Sequence, residues 1–290
     1  MQPPSMTGLT RLVPILAHPV DHVQAPRFYN PAFAAAGLDW CLVPMGVQPS
    51  DLAATLAQLA RVGNLQGVNL TIPHKAAGHA LCRWLGPEAR RTGVVNSLRL
   101  TPEGHWVGES FDGQGFVDAA RFHGLLPPAG RACIVGAGGA GTAIAFALAA
   151  AGVTSIHLID TDRARADSLA GRLREAWPAL EIGTGDGRAI AGAMADAMAD
   201  SLPDALADAQ LVVNATPLGL HAGDPLPLDP ARLRADAGVF DIIAARDTEL
   251  MAACQARGLR VIGGRPMIDH QIAAQIAFWR GEPLDLEPAA

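Results

Sequence analysis

The sequence predicts an α/β protein of two domains. Three observations carry that prediction. Short apolar strand-like runs alternate with helix-like segments through the first third of the chain, a second alternation of the same kind starts near Arg131, and 290 residues favour two cores over one.

Leu12 to Ala17 (LVPILA) and Trp40 to Val43 read as strands with a helix from Pro26 to Ala36 between them. Asp51 to Val62 spaces Leu52, Leu56 and Leu59 for one helix face, with Ser50 as its N-cap. Val68 to Ile72 is the next strand, and Pro73 opens a helix. Val94 to Leu100 and His105 to Val107 form a hairpin through Glu103-Gly104. In the second alternation, ACIVG is a buried strand, GAGGAG a turn, Thr142 to Ala151 a helix and SIHLID a strand. Gly185 to Ala209 is alanine-rich and reads as helix with an acidic face. Strands LVVN (211 to 214) and VFDII (239 to 243), a helix near Glu249 to Arg257, strand LRVI (259 to 262) and a last helix from Met267 to Trp279 complete the chain.

Composition narrows the function classes. Half the residues are hydrophobic, but 31 glycines and 22 prolines interrupt them, so no apolar run has membrane-spanning length. The start, MQPPSMTGLTR, lacks the apolar core of a signal peptide. Net charge is −6 and the charges are interspersed, with no basic face for nucleic acid. Cys41, Cys82, Cys133 and Cys254 are far apart and form no metal-type pair. A cytoplasmic globule, monomer or homodimer, acting on a small molecule is the expectation, with no nucleic-acid or membrane partner. His18 and His22 have helical i, i+4 spacing and His74 precedes Lys75, but Pro19 disfavours a helix there and no third ligand is placed by spacing, so no metal is expected.

Gly136-x-Gly138-x-x-Gly141 follows a strand and opens a helix. Glycines there allow a tight turn, close approach of a pyrophosphate and close helix–strand packing, and the helix N-terminus favours the anion. The next strand ends in Asp160, where a carboxylate would accept hydrogen bonds from an adenosine ribose. A methyltransferase-type loop or an inert turn is the alternative. A carboxylate at 160 favours a free 2′-hydroxyl and repels a 2′-phosphate, so NAD is expected ahead of NADP; Arg163 and Arg165 keep NADP open.

The stretch GVNLTIPHK, ending at Lys75, and Asp112 in GESFDGQGF put a lysine and an aspartate in glycine-punctuated turns ahead of that loop. Hydride transfer to or from an alcohol also moves a proton, and a Lys–Asp pair held out of bulk water suits that step. The plain alternatives are a solvated lysine after Pro73 and an aspartate that forms a turn.

Together these motifs resemble the shikimate/quinate dehydrogenase family over nearly the whole chain. GVNLTIPHK is similar to its asparagine–valine–threonine–x–proline–x–lysine block. GVVNS, GESFDGQGF, VGAGGAG, NATPLG (214 to 219) and GRPMIDHQIAAQIAFW (264 to 279) are similar to later blocks in the same order. The resemblance implies a substrate-binding domain over residues 1–114, a Rossmann-type NAD(P)-binding domain over 115–262, and a C-terminal helix, 263–290, returning to the substrate domain, with the active site in the cleft. It implies Lys75 and Asp112 as the catalytic pair and Thr71, Asn96 and Gln271 as partners of substrate hydroxyls. Taken singly, Thr71 and Asn96 also fit as strand and turn residues, and Gln271 as a polar helix-face group. The cofactor set it implies is Gly136, Gly138, Gly139, Ala140, Gly141, Asp160, Asn214, Thr216, Gly264 and Met267.

Departures from the family pattern bear on substrate. Its early block carries two serines that grip a substrate carboxylate; here PVDHVQAP puts Val23 and Ala25 at those positions, and neither side chain donates a hydrogen bond. Ser110-Phe111 replaces an asparagine–threonine before Asp112, and Ala244 stands where a tyrosine is usual. A buried carboxylate without donors costs several kcal/mol. The sequence therefore points to a dehydrogenase of a cyclic polyol or hydroxy acid whose carboxylate is absent or differently placed. Shikimate dehydrogenase with Ser110, Tyr29 or a rearranged loop at the carboxylate is one alternative. A cofactor-binding regulatory protein without chemistry is the other, disfavoured because Lys75 and Asp112 are both kept.

Overall fold

The computed structural model describes residues 6–187 and 202–289. It divides into two compact units, residues up to Asp112 together with Gln271 onward, and Gly113 to His270.

The first unit holds a mixed seven-stranded sheet. Strand β1 (Arg11–Ala17) pairs in parallel with β2 (Trp40–Gly46) on one side and β3 (Val68–Leu70) on the other. Val13, Ile15, Leu16 and Ala17 are buried, as a strand covered on both faces requires. Beyond β3 come β5 (Ser97–Leu100), β6 (Trp106–Glu109), β4 (Trp84–Leu85) and β13 (Glu287–Pro288), so the sheet order is β13-β4-β6-β5-β3-β1-β2. The β5–β6 hairpin is the one expected, with Gly104 at φ +84° in its turn. Helices α1 (Pro26–Ala35), α2 (Leu52–Leu59), α3 (Lys75–Ala80) and α4 (Pro87–Thr92) join these strands.

The second unit is a six-stranded parallel sheet in the order β12-β11-β10-β7-β8-β9. Its strands are β7 (Arg131–Val135), β8 (Ser155–Asp160), β9 (Glu181–Asp186), β10 (Leu211–Asn214), β11 (Gly238–Asp241) and β12 (Arg260–Ile262). The chain moves outward from β7 to β9, then restarts on the other side of β7 with β10, which is the doubly wound arrangement. Helix α6 (Gly139–Ala150) is apolar all round and buried from Gly141 to Ala149, as a helix with no solvent face must be. Helices α5 (Asp112–Phe122), α7 (Arg163–Ala176), α8 (Leu202–Asp208), α9 (Glu249–Ala256) and α10 (Arg265–Trp279) complete the elements; the division into units falls inside α5 and α10. Among the described residues no helix is long and apolar enough to cross a membrane.

Several boundaries differ from the sequence expectation for local reasons. Ser50 lies inside a 3-10 turn, Pro49–Asp51, and its hydroxyl donates to Asp51 Oδ1 (3.1 Å), so it caps nothing and α2 starts at Leu52. The helix after Pro73 starts two residues later, at Lys75, and the strand before it ends at Leu70. Helix α6 starts at Gly139, so half of the glycine motif is helix rather than turn. Gly185 and Asp186 belong to β9 and Leu202–Asp208 to α8; residues 188–201 of the expected alanine-rich helix lie outside the described residues. Strands β4 and β9 and helices α4, α5 and α7 were not among the expected elements. In α7 the signal was present: Ala166, Leu169, Ala170 and Leu173 are buried at three- and four-residue spacing.

Candidate active site

Lys75 and Asp112 are each the first residue of a helix, Lys75 in the helix expected after Pro73 and Asp112 where a turn was expected. The carboxylate of Asp112 gains from the N-terminal end of α5, where backbone N–H groups are unpaired. Lys75 Nζ donates to Asp112 Oδ2 at 2.5 Å, and only 12% and 7% of the two side chains is exposed. The pair is thus made, short and mostly screened from water.

Asn96 secures the other carboxylate oxygen. Its Nδ2 donates to Asp112 Oδ1 (2.9 Å) and to Gln271 Oε1 (2.9 Å), while its Oδ1 accepts from the backbone N–H of Phe111 (3.1 Å) and the hydroxyl of Ser97 (3.2 Å). Both amide protons and both carbonyl lone pairs of Asn96 are therefore used inside the protein. The network continues away from the pair. Gln275 Nε2 donates to Ser97 Oγ (2.7 Å), and the Tyr29 hydroxyl donates to Gln275 Oε1. Asn96, Ser97, Asp112, Gln271, Gln275 and Tyr29 are all at least 95% buried, so each bond replaces water that the site excludes.

Ser97, Gln275 and Tyr29 were not singled out as parts of this network by the sequence. One signal existed for Gln275: it follows Gln271 by one helical turn, so the two amides share a helix face. Thr71 is half-buried just beyond β3; its N–H donates to Leu16 O and its carbonyl accepts from His74 N. The His74 ring is buried, with Nε2 3.0 Å from Val47 O, and desolvation lowers its pKa. His18 and His22 lie in a bend and turn after β1 rather than on a helix, and no cluster of metal-ligand type occurs among the described residues. Val23 and Ala25 are half-buried, and Ala25 is the N-cap of α1, where no side chain caps the helix.

Glu109 is a further residue of this unit that the sequence did not single out. It is 2% exposed and its Oε1 accepts from the backbone N–H groups of Ala89 and Ser110, both at 2.7 Å. Burial pushes its pKa up to about 7, hydrogen bonds from the backbone of Ser110, Ala89 and Glu88 opposing that rise.

In the second unit the glycine turn lies where β7 and β10 part, the switch point at which doubly wound sheets bind ligands. Gly136 has φ +104°, and a Cβ there would stand 2.7 Å from the Ala215 carbonyl carbon and oxygen. A Cβ on Gly141 would stand 1.9 Å from Gly136 O. Gly138, the N-cap of α6, has no atom within 4 Å of that position, which leaves its backbone open to a ligand. Gly139 and Ala140 begin the helix. This cradle fits a pyrophosphate: two glycines are closed by packing and the third is open.

Asp160 Oδ2 accepts from Ala137 N (2.8 Å) and Oδ1 from Asp162 N (2.8 Å), so the carboxylate shapes the turn as well as facing it. Arg165 stands 3.9 Å from Asp160 and 3.8 Å from Asp162, and Arg163 stands 3.6 Å from Asp167. Asn214 and Thr216 build the turn after β10: Thr216 Oγ1 donates to Asn214 Oδ1 (2.7 Å), and Asn214 Nδ2 donates to Leu218 O (3.1 Å) and Asp241 Oδ1 (3.0 Å). Asp241, fully buried, also accepts from Thr248 Oγ1 (2.6 Å); desolvation raises its pKa. Gly264 packs so tightly on Ile242 that a Cβ would stand 2.0 Å from its carbonyl oxygen, and Met267 is part of the apolar core.

A doubly wound nucleotide-type unit, in one chain with a unit carrying a screened Lys–Asp pair, defines a class: the nicotinamide-dependent oxidoreductases of CH–OH groups. Residues 15–98 match the shikimate dehydrogenase substrate binding domain family. The shikimate dehydrogenase (NADP(+)) of Acidiphilium cryptum (strain JF-5) is 38% identical over 95% of this chain and 92% of its own. The crystal structure of shikimate 5-dehydrogenase from Thermus thermophilus in complex with NADP(H) and shikimate superposes with a TM-score of 0.77, at 30% identity over 95% of each chain. Quinate dehydrogenase from Corynebacterium glutamicum in complex with NAD gives 0.78, at 27% identity over 97% of this chain and 95% of that one. The chain belongs to the shikimate/quinate dehydrogenase family.

Proposed function

We propose that the first unit is the substrate unit and the second the nucleotide unit, and that Lys75 and Asp112 move the proton while the cofactor exchanges hydride with a cyclic polyol or hydroxy acid. The observation that carries this reading is the 2.5 Å Lys75–Asp112 contact between two largely screened side chains. When bound, the nicotinamide supplies or accepts the hydride. In the reducing direction, Lys75 gives a proton to the carbonyl oxygen as it becomes an alkoxide; in the oxidising direction it takes the hydroxyl proton. Asp112 orients Nζ through that contact. Asn96, with its amide saturated, is a positioning residue for Asp112 and Gln271. Contacts to substrate hydroxyls then fall to Thr71, Gln271 and Lys75 itself.

NAD is the proposed cofactor. Asp160 and Asp162 put two carboxylates beside the place for the adenosine ribose, and the two nearby arginines already face carboxylates. A 2′-phosphate would meet repulsion with no uncommitted clamp. The glycine loop would hold the pyrophosphate on the backbone of Gly138 and the first turn of α6. Four free buried cysteines suit a reducing compartment, and we place the enzyme in the cytoplasm.

The proposed substrate lacks a carboxylate at the Val23–Ala25 segment, because neither residue offers a side-chain donor there. The names of the relatives favour a second reading, reduction of 3-dehydroshikimate with the carboxylate held by other groups. One assay separates them: shikimate, quinate and carboxylate-free cyclic alcohols, each with NAD and with NADP. The expected outcome is turnover of a carboxylate-free alcohol with NAD at a kcat/KM at least roughly tenfold that with NADP, the cost of one unfavourable charge contact. Shikimate turnover at a micromolar KM sinks the substrate proposal, and a preference for NADP sinks the cofactor proposal.

A further inference from the structure

A pocket of about 530 Å³ lies in the first unit at the opposite end of the sheet from Lys75 and Asp112. It is lined by Arg11, at the start of β1, by Gly67, just before β3, and by Arg99 near the end of the antiparallel β5. Thr71 and Lys75 lie past the other end of β3. The C-terminal end of α10 adds Trp279, Arg280 and Gly281.

Three arginines therefore line one cavity, and among the described residues none of them has a carboxylate within ion-pair distance. Arg11 is held open by neutral acceptors: its Nε donates to Gln66 Oε1 (3.1 Å), its Nη2 to Leu65 O (3.0 Å) and its Nη1 to Gly63 O (3.4 Å). Arg99 packs its guanidinium 5.2 Å from the centre of the Phe278 ring, and a Cβ on Gly281 would be 3.8 Å from its Nη1, which sets it beside the Arg280–Gly281 turn. Desolvation lowers the Arg99 pKa. Two of the lining residues also carry a buried donor atom with no acceptor, Arg99 Nε and Trp279 Nε1. Like charges brought together cost free energy, which a bound anion offsets.

We propose that this pocket binds a small oxyanion, phosphate or carboxylate, whose charge balances Arg11, Arg99 and Arg280. It is a binding site apart from the proton-transfer pair and does not depend on the substrate or cofactor reading. Calorimetric titration of the full-length protein with inorganic phosphate and, in a separate arm, malonate, each at ionic strength matched with chloride, tests it. Saturable binding of one or both is expected, and the stronger arm identifies the anion class. Binding weakens roughly tenfold in Arg99→Gln and in Arg280→Gln, the loss of one charge-assisted contact, while turnover without added anion is unchanged. Arg280 is exposed, so its variant keeps the test available should Arg99→Gln fold poorly. Heat no larger than that of chloride, or affinity equal to the parent's in Arg280→Gln, overturns the proposal, the second result placing the anion at another site such as the glycine loop.

Discussion

The two units build their sites from different parts of the chain. In the first, side chains make the site: Lys75, Asp112, Asn96, Gln271, Ser97, Gln275 and Tyr29 form one hydrogen-bonded series in which the donors and acceptors of Asn96 are all used. In the second, the backbone makes it: Gly136 and Gly141 are closed by neighbouring carbonyl groups, and Gly138 is left open. A site of the first kind is sensitive to the loss of functional groups, and one of the second kind to the gain of a single carbon. Substitutions that separate chemistry from binding should therefore sort by unit.

The largest expected effect is at Lys75. Lys75→Ala should lower kcat roughly 10³-fold, about 4 kcal/mol of barrier, while the cofactor Kd, read by quenching of nicotinamide fluorescence, stays within about twofold of the parent. Equal losses in kcat and in cofactor affinity would contradict the separation of roles.

Gly141→Ala is the converse. Its Cβ would stand 1.9 Å from Gly136 O, a collision with backbone that no rotamer relieves, costing about 3 kcal/mol or more. Cofactor binding should be lost together with several degrees of Tm. A variant that binds cofactor normally would show that the turn has slack that this packing denies.

The smallest effect sharpens the contrast within the first unit, between a carboxylate with a cation and one without. Asp112 has Lys75; Glu109, among the described residues, has backbone N–H groups and no ion-pair partner. Because its folded pKa is raised from 4.5 to about 7, the native state keeps a proton that the unfolded chain has lost between those values. Stability therefore falls as pH rises through that window and stays lower above it. Glu109→Gln keeps an acceptor for both N–H groups and removes the titration. The variant should match the parent near pH 4.5 and exceed it above pH 7 by at most roughly 3 kcal/mol. Thermal unfolding at pH 5 and pH 8 checks this, and an unchanged pH slope would assign it to other groups.

Much of this was legible in the sequence. The glycine spacing before α6, the acid ending β8, and the order of strands and helices follow from local rules of turn geometry and apolar period, which act over a few residues. Lys75 and Asp112 were also legible as a pair, with Lys75 near the start of a helix after Pro73; that Asp112 opens a helix was not, because Gly113 marks a break without fixing where a helix begins.

What the sequence determined by itself was the α/β class, the dinucleotide-type turn and the residue types available for proton transfer. Only the tertiary structure decided that Lys75 and Asp112 touch, that Asn96 spends its amide on the protein, that Glu109 is buried with no ion-pair partner among the described residues, and that Arg11, Arg99 and Arg280 line one pocket. Those facts join residues as far apart as 11 and 280. Burial and pairing at such distances depend on strand order and sheet register, which no local propensity encodes.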